Sequence, residues 1–339
     1  VYNTGMNILF CKIPKHYQSF LTQELHDHTC IFTDDIQSYP DKEDIDGLGV
    51  YVQTEVRSDD INSFPNLKLI TTISTGYDHI DVAYAESKNI TVTNVPGYGA
   101  HSVSEFTFGL LLTLARNIHR AYPDLQDHDQ AINSNSYLGI TLYGKTLGVI
   151  GTGNIGKQVI AIAQGFGMKV VAYDAFPDSD FAEQYNIDYV DLKYLLSHSD
   201  IVTLHVPYLP ETRHIISHKE LSLMQPHALL INTARGELVH SLDVIKALKE
   251  KTIKGAAFDV LEGERGLNDP TLWANINNEE AQEQIRTMLI DHELIDMPNV
   301  IVTPHIASQT KEARDALYHT TVKNIRAFTE NNSINIVRK

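Results

Sequence analysis

Residues 146–156 read Thr-Leu-Gly-Val-Ile-Gly-Thr-Gly-Asn-Ile-Gly. An apolar run, Thr146–Ile150, leads into Gly151, Gly153 and Gly156 at G-x-G-x-x-G spacing, and an amphipathic stretch through Val159, Ile160 and Ile162 follows. Glycine triplets at this spacing arise by chance; a triplet set between a strand and a helix is far more specific. The next apolar run, Lys169–Tyr173, ends on Asp174 and completes the pattern of a dinucleotide-binding βαβ unit. Gly151 permits the tight turn, Gly153 lets a pyrophosphate approach the backbone, and Gly156 lets helix and strand pack closely. The helix start offers unpaired N–H groups and the positive end of its dipole to the phosphates. Asp174 is expected to accept hydrogen bonds from the adenosine ribose. A 2′-phosphate would face that carboxylate with no Arg or Lys in residues 175–180 to relieve it, so the expected cofactor is NAD, not NADP.

Outward from this loop, strand-like runs alternate with amphipathic stretches. Lys169–Tyr173, Ile201–His205, Ala228–Asn232, Lys254–Phe258 and Val300–Thr303 join Thr146–Ile150 as six strands, the count of a complete dinucleotide-binding sheet. Ile8–Cys11, Val50–Gln53, Lys68–Ser74 and Ile90–Asn94 read as strands of an earlier unit. After Pro96-Gly97-Tyr98-Gly99 a helix is expected to begin at Ser102, with Ser102 and Glu105 as a capping box. Its apolar residues, from Val103 to Ile118, run most of the way round, as in a helix buried on several sides; the preferred reading is burial against a second subunit. A long helix over Lys311–Thr329 ends the chain. It is too short to be a domain, so it is expected to return to the first unit. The fold class is therefore α/β with two parallel-sheet domains: residues 1–101 with 306–339, and an inserted nucleotide domain over 102–305.

The bulk numbers fit this reading. The 339 residues suffice for two cores, with 42% hydrophobic and 21% charged. The 43 acidic against 27 basic residues give a net charge of −16, which repels phosphate backbones and anionic lipid; no nucleic-acid or membrane partner is expected. No apolar run reaches membrane-spanning length, and Val1–Lys15 lacks the layout of a signal peptide. Cys11 and Cys30 form no CxxC pair and read as reduced thiols of a cytoplasmic protein.

Chemistry-bearing residues cluster after three of the strands. Thr233-Ala234-Arg235-Gly236 follows Asn232, Asp259-Val260-Leu261-Glu262-Gly263-Glu264 follows Phe258, and Pro304-His305-Ile306-Ala307 follows Thr303. Doubly wound sheets place ligands at these carboxyl ends. Reducing a 2-keto acid needs a cation for the carboxylate, a proton donor for the carbonyl oxygen, and a partner that keeps the donor protonated. Arg235, His305 and Glu264 fill those catalytic roles in that order.

These motifs, with His205-Val206-Pro207, Ile231-Asn-Thr-Ala-Arg-Gly236 and Thr303-Pro-His-Ile-Ala307, resemble the D-isomer-specific 2-hydroxyacid dehydrogenases over most of the chain. The resemblance implies a discontinuous substrate domain, an inserted NAD domain, a cleft between them and a homodimer. It gives Arg235, Glu264 and His305 the same roles. It adds Asn154 and Ile155 at the pyrophosphate, Val206, Pro207 and Thr212 near the adenosine, and Thr233, Ala234 and Asp259 near the nicotinamide. It also assigns the N–H groups around Thr75 and Gly76 to the substrate carboxylate. The long stretch between Glu264 and His305 resembles the D-lactate dehydrogenase branch, so pyruvate or a related 2-keto acid is the expected substrate. Two positions depart. Ser308 stands where several D-lactate enzymes carry an aromatic pair, and Gln53 where a loop aromatic is expected; both would border the substrate side chain. Glyoxylate or hydroxypyruvate reduction is the alternative on the same scaffold. An NAD-sensing binding protein of the corepressor type is the alternative of a different class.

Other signals carry less. His214 and His218 stand four apart, but Ser217 and Glu220 form a capping box that places His218 in an exposed first turn, and no metal is expected. His26-Asp27-His28 reads as a solvated helix end, and Trp273 with Asn275–Glu283 as a surface excursion. No G-x-S-x-G surrounds Ser102 or Ser104, so hydrolase chemistry finds no support.

Overall fold

In the computed structural model of the chain, residues 5–127, 133–264 and 278–338 are described. Two compact units result. One combines the chain up to Tyr98 with Gln309 onward; the other is Gly99–Ser308.

Among the described residues the first unit has five parallel strands: β1 (Asn7–Cys11), β2 (Thr29–Thr33), β3 (Gly47–Val50), β4 (Leu69–Thr72) and β5 (Thr91–Thr93), in the order β2-β1-β3-β4-β5. Both faces of this sheet are covered, and its central strands β1, β3 and β4 are buried almost throughout. Ile8 and Phe10 face Leu317, Tyr318, Val322 and Ile325 of the terminal helix Lys311–Thr329. Leu9 and Cys11, at the alternate positions, join Leu48, Val50 and Ile70 on the other side. Thr310 caps the terminal helix, its hydroxyl accepting from Ala313 N at 3.1 Å.

Three expectations for this unit need correction. The strand expected over Val50–Gln53 lies earlier, at Gly47–Val50. Its glycines hide it from a propensity reading, and Gly49 is there because the Phe10 ring fills the place of a side chain: a Cβ would come within 2.3 Å of it. The strand Thr29–Thr33 was not foreseen; it is a half-buried edge with little apolar patterning. The His26-Asp27-His28 segment is not simply solvated. The His28 side chain is 3% exposed, its Nδ1 accepts from Met6 N at 3.0 Å, and burial lowers its pKa.

The second unit holds β6 (Thr146–Ile150), β7 (Lys169–Tyr173), β8 (Asp188–Tyr189), β9 (Ile201–Leu204), β10 (Leu229–Asn232), β11 (Gly255–Phe258) and β12 (Val300–Val302), all parallel, in the order β12-β11-β10-β9-β6-β7-β8. This is the doubly wound dinucleotide-binding order, and the strand order reverses between β6 and β9. The strand beyond the expected six, β8, is two residues long and carries no sequence signal of its own. The helix expected from Ser102 spans Ala100–Ala115, with Gly99 as N-cap and no side-chain cap; Ser102 and Glu105 lie inside its first turns. The glycine turn before it hands the chain straight into the helix, Val103 N donating to Gly99 O at 2.8 Å. Phe108, Leu110, Leu111 and Leu114 of this helix enter the core around β6, and it packs on the helix Asn154–Gly165. Trp273 lies outside the described residues, and from Glu279 the presumed excursion is a helix, Glu279–Ile295. Among the described residues no helix is long and apolar enough to cross a membrane.

Candidate active site

The loop after β6 is shaped by its three glycines. Gly151 has φ +95°, which only glycine adopts without strain, and its α-carbon faces the His205–Val206 backbone so closely that a Cβ would lie 2.7 Å away. Gly156 sits against the same turn; its Cβ would be 2.0 Å from Gly151 O. Gly153 is different. It is exposed, and a Cβ there would meet nothing within 4 Å. Between two packed glycines, this open one leaves room for a group to lie on the backbone. It caps the helix Asn154–Gly165, whose first residues, Asn154 and Ile155, bring the orphan N–H groups of that helix to the same spot.

Asp174 closes β7 beside this loop. It accepts from Thr152 N (2.6 Å), Thr152 Oγ1 (3.0 Å) and Phe176 N (2.9 Å). Burial pushes its carboxyl up; hydrogen bonds from the Thr152, Phe176 and Ala175 backbone and the Thr152 hydroxyl outweigh burial and leave its pKa lowered. A carboxylate is thus held ionised at the edge of the cradle, as a ribose diol requires. Lys157, unnoticed in the sequence, also lies here, but its ammonium pairs with Asp178 at 2.5 Å. Val206 and Pro207 continue from β9 into the crevice where the strand order reverses, and Thr212 Oγ1 closes their turn by donating to Pro207 O at 2.8 Å.

Arg235, Glu264 and His305 leave the carboxyl ends of β10, β11 and β12, three adjacent strands of one sheet. His305 Nδ1 is 2.9 Å from Glu264 Oε1. That hydrogen bond raises the His305 pKa; burial and the charge of Arg235 oppose it, and the charges of Glu264 and Asp259 add to it. With Nδ1 bound to the carboxylate, Nε2 is left to exchange a proton. The pair is open to solvent, with side chains 41% and 33% exposed. Arg235 is half-buried, and its guanidinium donates to Ala234 O at 2.7 Å. Its loop is braced by Asn232, whose side chain donates to Arg235 O (2.7 Å) and accepts from Ala234 N (3.0 Å). Thr233 Oγ1 shares a hydrogen bond with Thr107 Oγ1 at 2.9 Å.

His205 offers a contrast. Burial drives its pKa down to about 3, so it stays neutral. Of these two histidines at strand ends, only His305 can carry a proton into a reaction near neutral pH. His305 also has φ +55°, a left-handed conformation that costs a non-glycine residue energy. Asp259 holds it there. Expected near the nicotinamide, Asp259 is buried, and its carboxylate accepts from Thr303 Oγ1 (2.6 Å), Ile306 N (2.9 Å) and Ala307 N (2.8 Å). Its own carbonyl accepts from His305 N at 2.9 Å. The structure makes it the brace of the His305 turn. A sequence signal existed, since an acidic residue after a buried strand must find partners.

Ser308, Gln53, Thr75 and Gly76 complete the expected set, the last three in the first unit. Ser308 ends the second unit, beside Gly99. Gln53 is an exposed turn residue of the first unit; because β3 ends at Val50, the aromatic opening that loop is Tyr51, whose carbonyl accepts from Thr54 N at 2.9 Å. Thr75 and Gly76 follow β4. Thr75 Oγ1 donates to Val95 O (2.8 Å) and Ser74 Oγ to Gly76 O (2.7 Å), while neither Thr75 N–H nor Gly76 N–H is engaged by another described residue. His214 Nε2 donates to Glu262 Oε1 at 2.6 Å, and His218 sits in an exposed first turn beside the Ser217–Glu220 capping box. Among the described residues no group of three or more His, Cys, Asp or Glu could hold a metal ion.

Comparison with known proteins agrees with this geometry. Residues 108–307 match the family model of the D-isomer specific 2-hydroxyacid dehydrogenase NAD-binding domain. The chain is 37% identical over 292 residues to a glyoxylate reductase of Thermococcus litoralis, covering 85% of this chain and 81% of that one. It is 40% identical over 250 residues to the D-lactate dehydrogenase kk1H of Curvularia clavata, covering 74% and 68%. A D-lactate dehydrogenase from Aquifex aeolicus, solved with NAD and lactic acid, superposes with a TM-score of 0.84 at 35% identity, covering 96% of each chain. With its glycine cradle, its ionised Asp174 and its His305–Glu264 pair beside Arg235, the chain belongs to the D-isomer-specific 2-hydroxyacid dehydrogenases and is an NAD-dependent oxidoreductase of that family.

Proposed function

We propose that the enzyme interconverts pyruvate, or a closely related 2-keto acid, and the D-2-hydroxy acid. The observation that carries the reading is the 2.9 Å hydrogen bond between His305 and Glu264, beside Arg235, which keeps an imidazolium available. Bound NADH supplies the hydride. Arg235 grips the substrate carboxylate and polarises its carbonyl. His305 Nε2 delivers the proton to the carbonyl oxygen in reduction and removes it in oxidation, while Glu264 stabilises the charged imidazole. The unengaged N–H groups of Thr75 and Gly76 are offered as further carboxylate ligands. An NAD sensor would have no use for a charged His–Glu pair, which favours the enzyme.

For the cofactor, Gly151, Gly153, Asn154, Ile155 and Gly156 would hold the pyrophosphate, and Asp174 the ribose. Val206, Pro207 and Thr212 would border the adenosine; Thr233 and Ala234 would lie toward the nicotinamide. Preference for NAD over NADP rests on the ionised Asp174 and on Lys157 being paired with Asp178. The helix Ala100–Ala115, expected to be covered by a second subunit, buries Phe108, Leu110, Leu111 and Leu114 in the core of its own unit, so the homodimer is proposed instead through the apolar residues that follow it, Ile118, Tyr122, Leu125 and Leu138, which are all exposed. The free thiols Cys11 and Cys30 and the acidic surface fit a cytoplasmic setting.

Glyoxylate or hydroxypyruvate is the second reading, favoured by the similarity to a glyoxylate reductase. The test is NADH oxidation, followed by nicotinamide absorbance, across pyruvate, phenylpyruvate, 2-ketoisocaproate, hydroxypyruvate and glyoxylate. The highest kcat/KM for pyruvate supports the first reading. A maximum on glyoxylate or hydroxypyruvate replaces it with the second, and no turnover with NADH still bound defeats both.

A further inference from the structure

The chain between Glu264 and His305 is long, and the catalytic roles above leave it unexplained. Its described part is the helix Glu279–Ile295. One residue of that helix is out of place for a surface excursion. Asp291 is fully buried, 0% exposed, in the same unit as the proton-transfer pair. A buried carboxylate with poor partners is costly, so its partners identify its purpose. Asp291 Oδ2 accepts from Gly263 N at 2.7 Å, and Oδ1 accepts from Ser241 Oγ at 3.0 Å. Gly263 lies between Glu262 and Glu264. The helix also packs tightly here: a Cβ on Gly263 would stand 2.8 Å from Asp291 Oδ2 and 3.0 Å from Met288 N.

The loop is fixed at its other end as well. Gly236, next to Arg235, approaches the Leu261–Glu262 backbone so closely that a Cβ would overlap it. Glu262 is tied to His214 at 2.6 Å. Glu264 Oε2 accepts weakly from Leu261 N at 3.3 Å, which leaves its Oε1 for His305. The Gly263 N–H is therefore the point at which a helix far along the chain grips the Glu264 loop.

We propose that Asp291 is a positioning residue: by holding Gly263 N–H it sets where Glu264 meets His305, and so builds the long insertion into the proton-transfer machinery. Burial, with the charges of Glu262 and Glu264, pushes the Asp291 carboxyl up to about 6 despite the Gly263 and Ser241 hydrogen bonds. This inference rests on the acid–base roles given above to His305 and Glu264.

Its test compares Asp291→Ala, Asp291→Asn and Gly263→Ala with Glu264→Gln, measuring kcat and KM for keto-acid reduction across pH and NADH affinity by fluorescence. Asp291→Ala should lose kcat by about tenfold or more, the scale of a misplaced reacting group, with NADH binding unchanged. The alkaline limb of its reduction profile should move to lower pH, in the direction Glu264→Gln moves it. Gly263→Ala should shift the limb the same way. Asp291→Asn keeps an oxygen for Gly263 N–H and an amide that can donate to Ser241 Oγ, so it should recover most of the lost rate. If Glu264→Gln moves the limb and Asp291→Ala does not, the inference is overturned while the acid–base reading stands. If Glu264→Gln leaves the limb in place, both fall. Equal impairment of the two Asp291 variants with an unmoved limb reduces Asp291 to a core residue and also overturns the inference.

Discussion

Alanine at Gly153 and alanine at Gly156 should separate cofactor binding from folding. At Gly156 the new methyl would sit 2.0 Å from Gly151 O and 3.0 Å from Gly151 C. An ordinary C···O contact is about 3.3 Å, so one side must retreat by more than ~1 Å. Gly151 cannot retreat, because its own α-carbon faces the His205–Val206 backbone, with a Cβ position only 2.7 Å away. Overpacking of this kind costs about 1–3 kcal/mol. It should lower the stability of the ligand-free protein and, by displacing the helix start, weaken NADH binding by about 10- to 100-fold. At Gly153 the methyl meets nothing within 4 Å. Gly153→Ala should therefore leave the urea midpoint unchanged or slightly raised, since alanine restricts the unfolded chain by about 0.4–1 kcal/mol. The same methyl occupies the space assigned to the pyrophosphate, so NADH affinity should still fall by about tenfold or more. Fluorescence titration with NADH and urea unfolding of the ligand-free variants give both numbers. Tight NADH binding by Gly153→Ala would refute the placement of the pyrophosphate, and undiminished stability of Gly156→Ala would refute the packing argument.

Glu264→Gln removes the charge that helps raise the His305 pKa and leaves only a neutral acceptor for its Nδ1–H, so reduction should fail at a lower pH than in the unaltered enzyme; an unmoved alkaline limb would separate the two residues functionally. Arg235→Gln should cut kcat/KM for the keto acid by about 10²–10³-fold, the loss expected when a charge-assisted pair is broken, with NADH affinity intact; a loss of NADH binding instead would move Arg235 to the cofactor. Asp259→Ala strands the Ile306 and Ala307 N–H groups, each costing about 1–3 kcal/mol, so turnover and thermal stability should fall together, and a fall in neither would remove the brace. Asp174→Ala should weaken NADH by about tenfold or more and NADPH far less; parallel losses would leave the cofactor preference to another residue.

Much of the second unit was legible because its chemistry is local. A strand, a glycine turn and a helix lie together in residues 146–165, and the acid that completes them ends the next strand. The terminal helix announced itself by periodicity, and its bounds, Lys311–Thr329, are those found. Arg235, Glu264 and His305 could be grouped because parallel sheets put strand ends on one edge.

What stayed hidden depends on distant contacts. β2 is a half-buried edge, β3 uses glycine to admit the Phe10 ring, and β8 is too short to carry a period. The helix start at Ala100 eluded the capping-box pattern because a glycine turn enters it directly. Asp259, Asn232 and Asp291 act by gripping backbone, and Asp259 and Asp291 grip it many residues away; spacing along the chain does not reveal which N–H a carboxylate will hold.

The most direct test of the account is the pH dependence of both directions in one preparation. Keto-acid reduction needs His305 protonated, and hydroxy-acid oxidation needs it neutral. Because the Glu264 hydrogen bond raises the His305 pKa, reduction should persist above the pH at which an ordinary histidine deprotonates and then fall, while oxidation rises through the same midpoint. Opposed profiles sharing one midpoint, both abolished in His305→Gln with NADH binding retained, are the predicted result. Parallel profiles, or turnover undiminished in His305→Gln, would contradict His305 as the proton donor and acceptor.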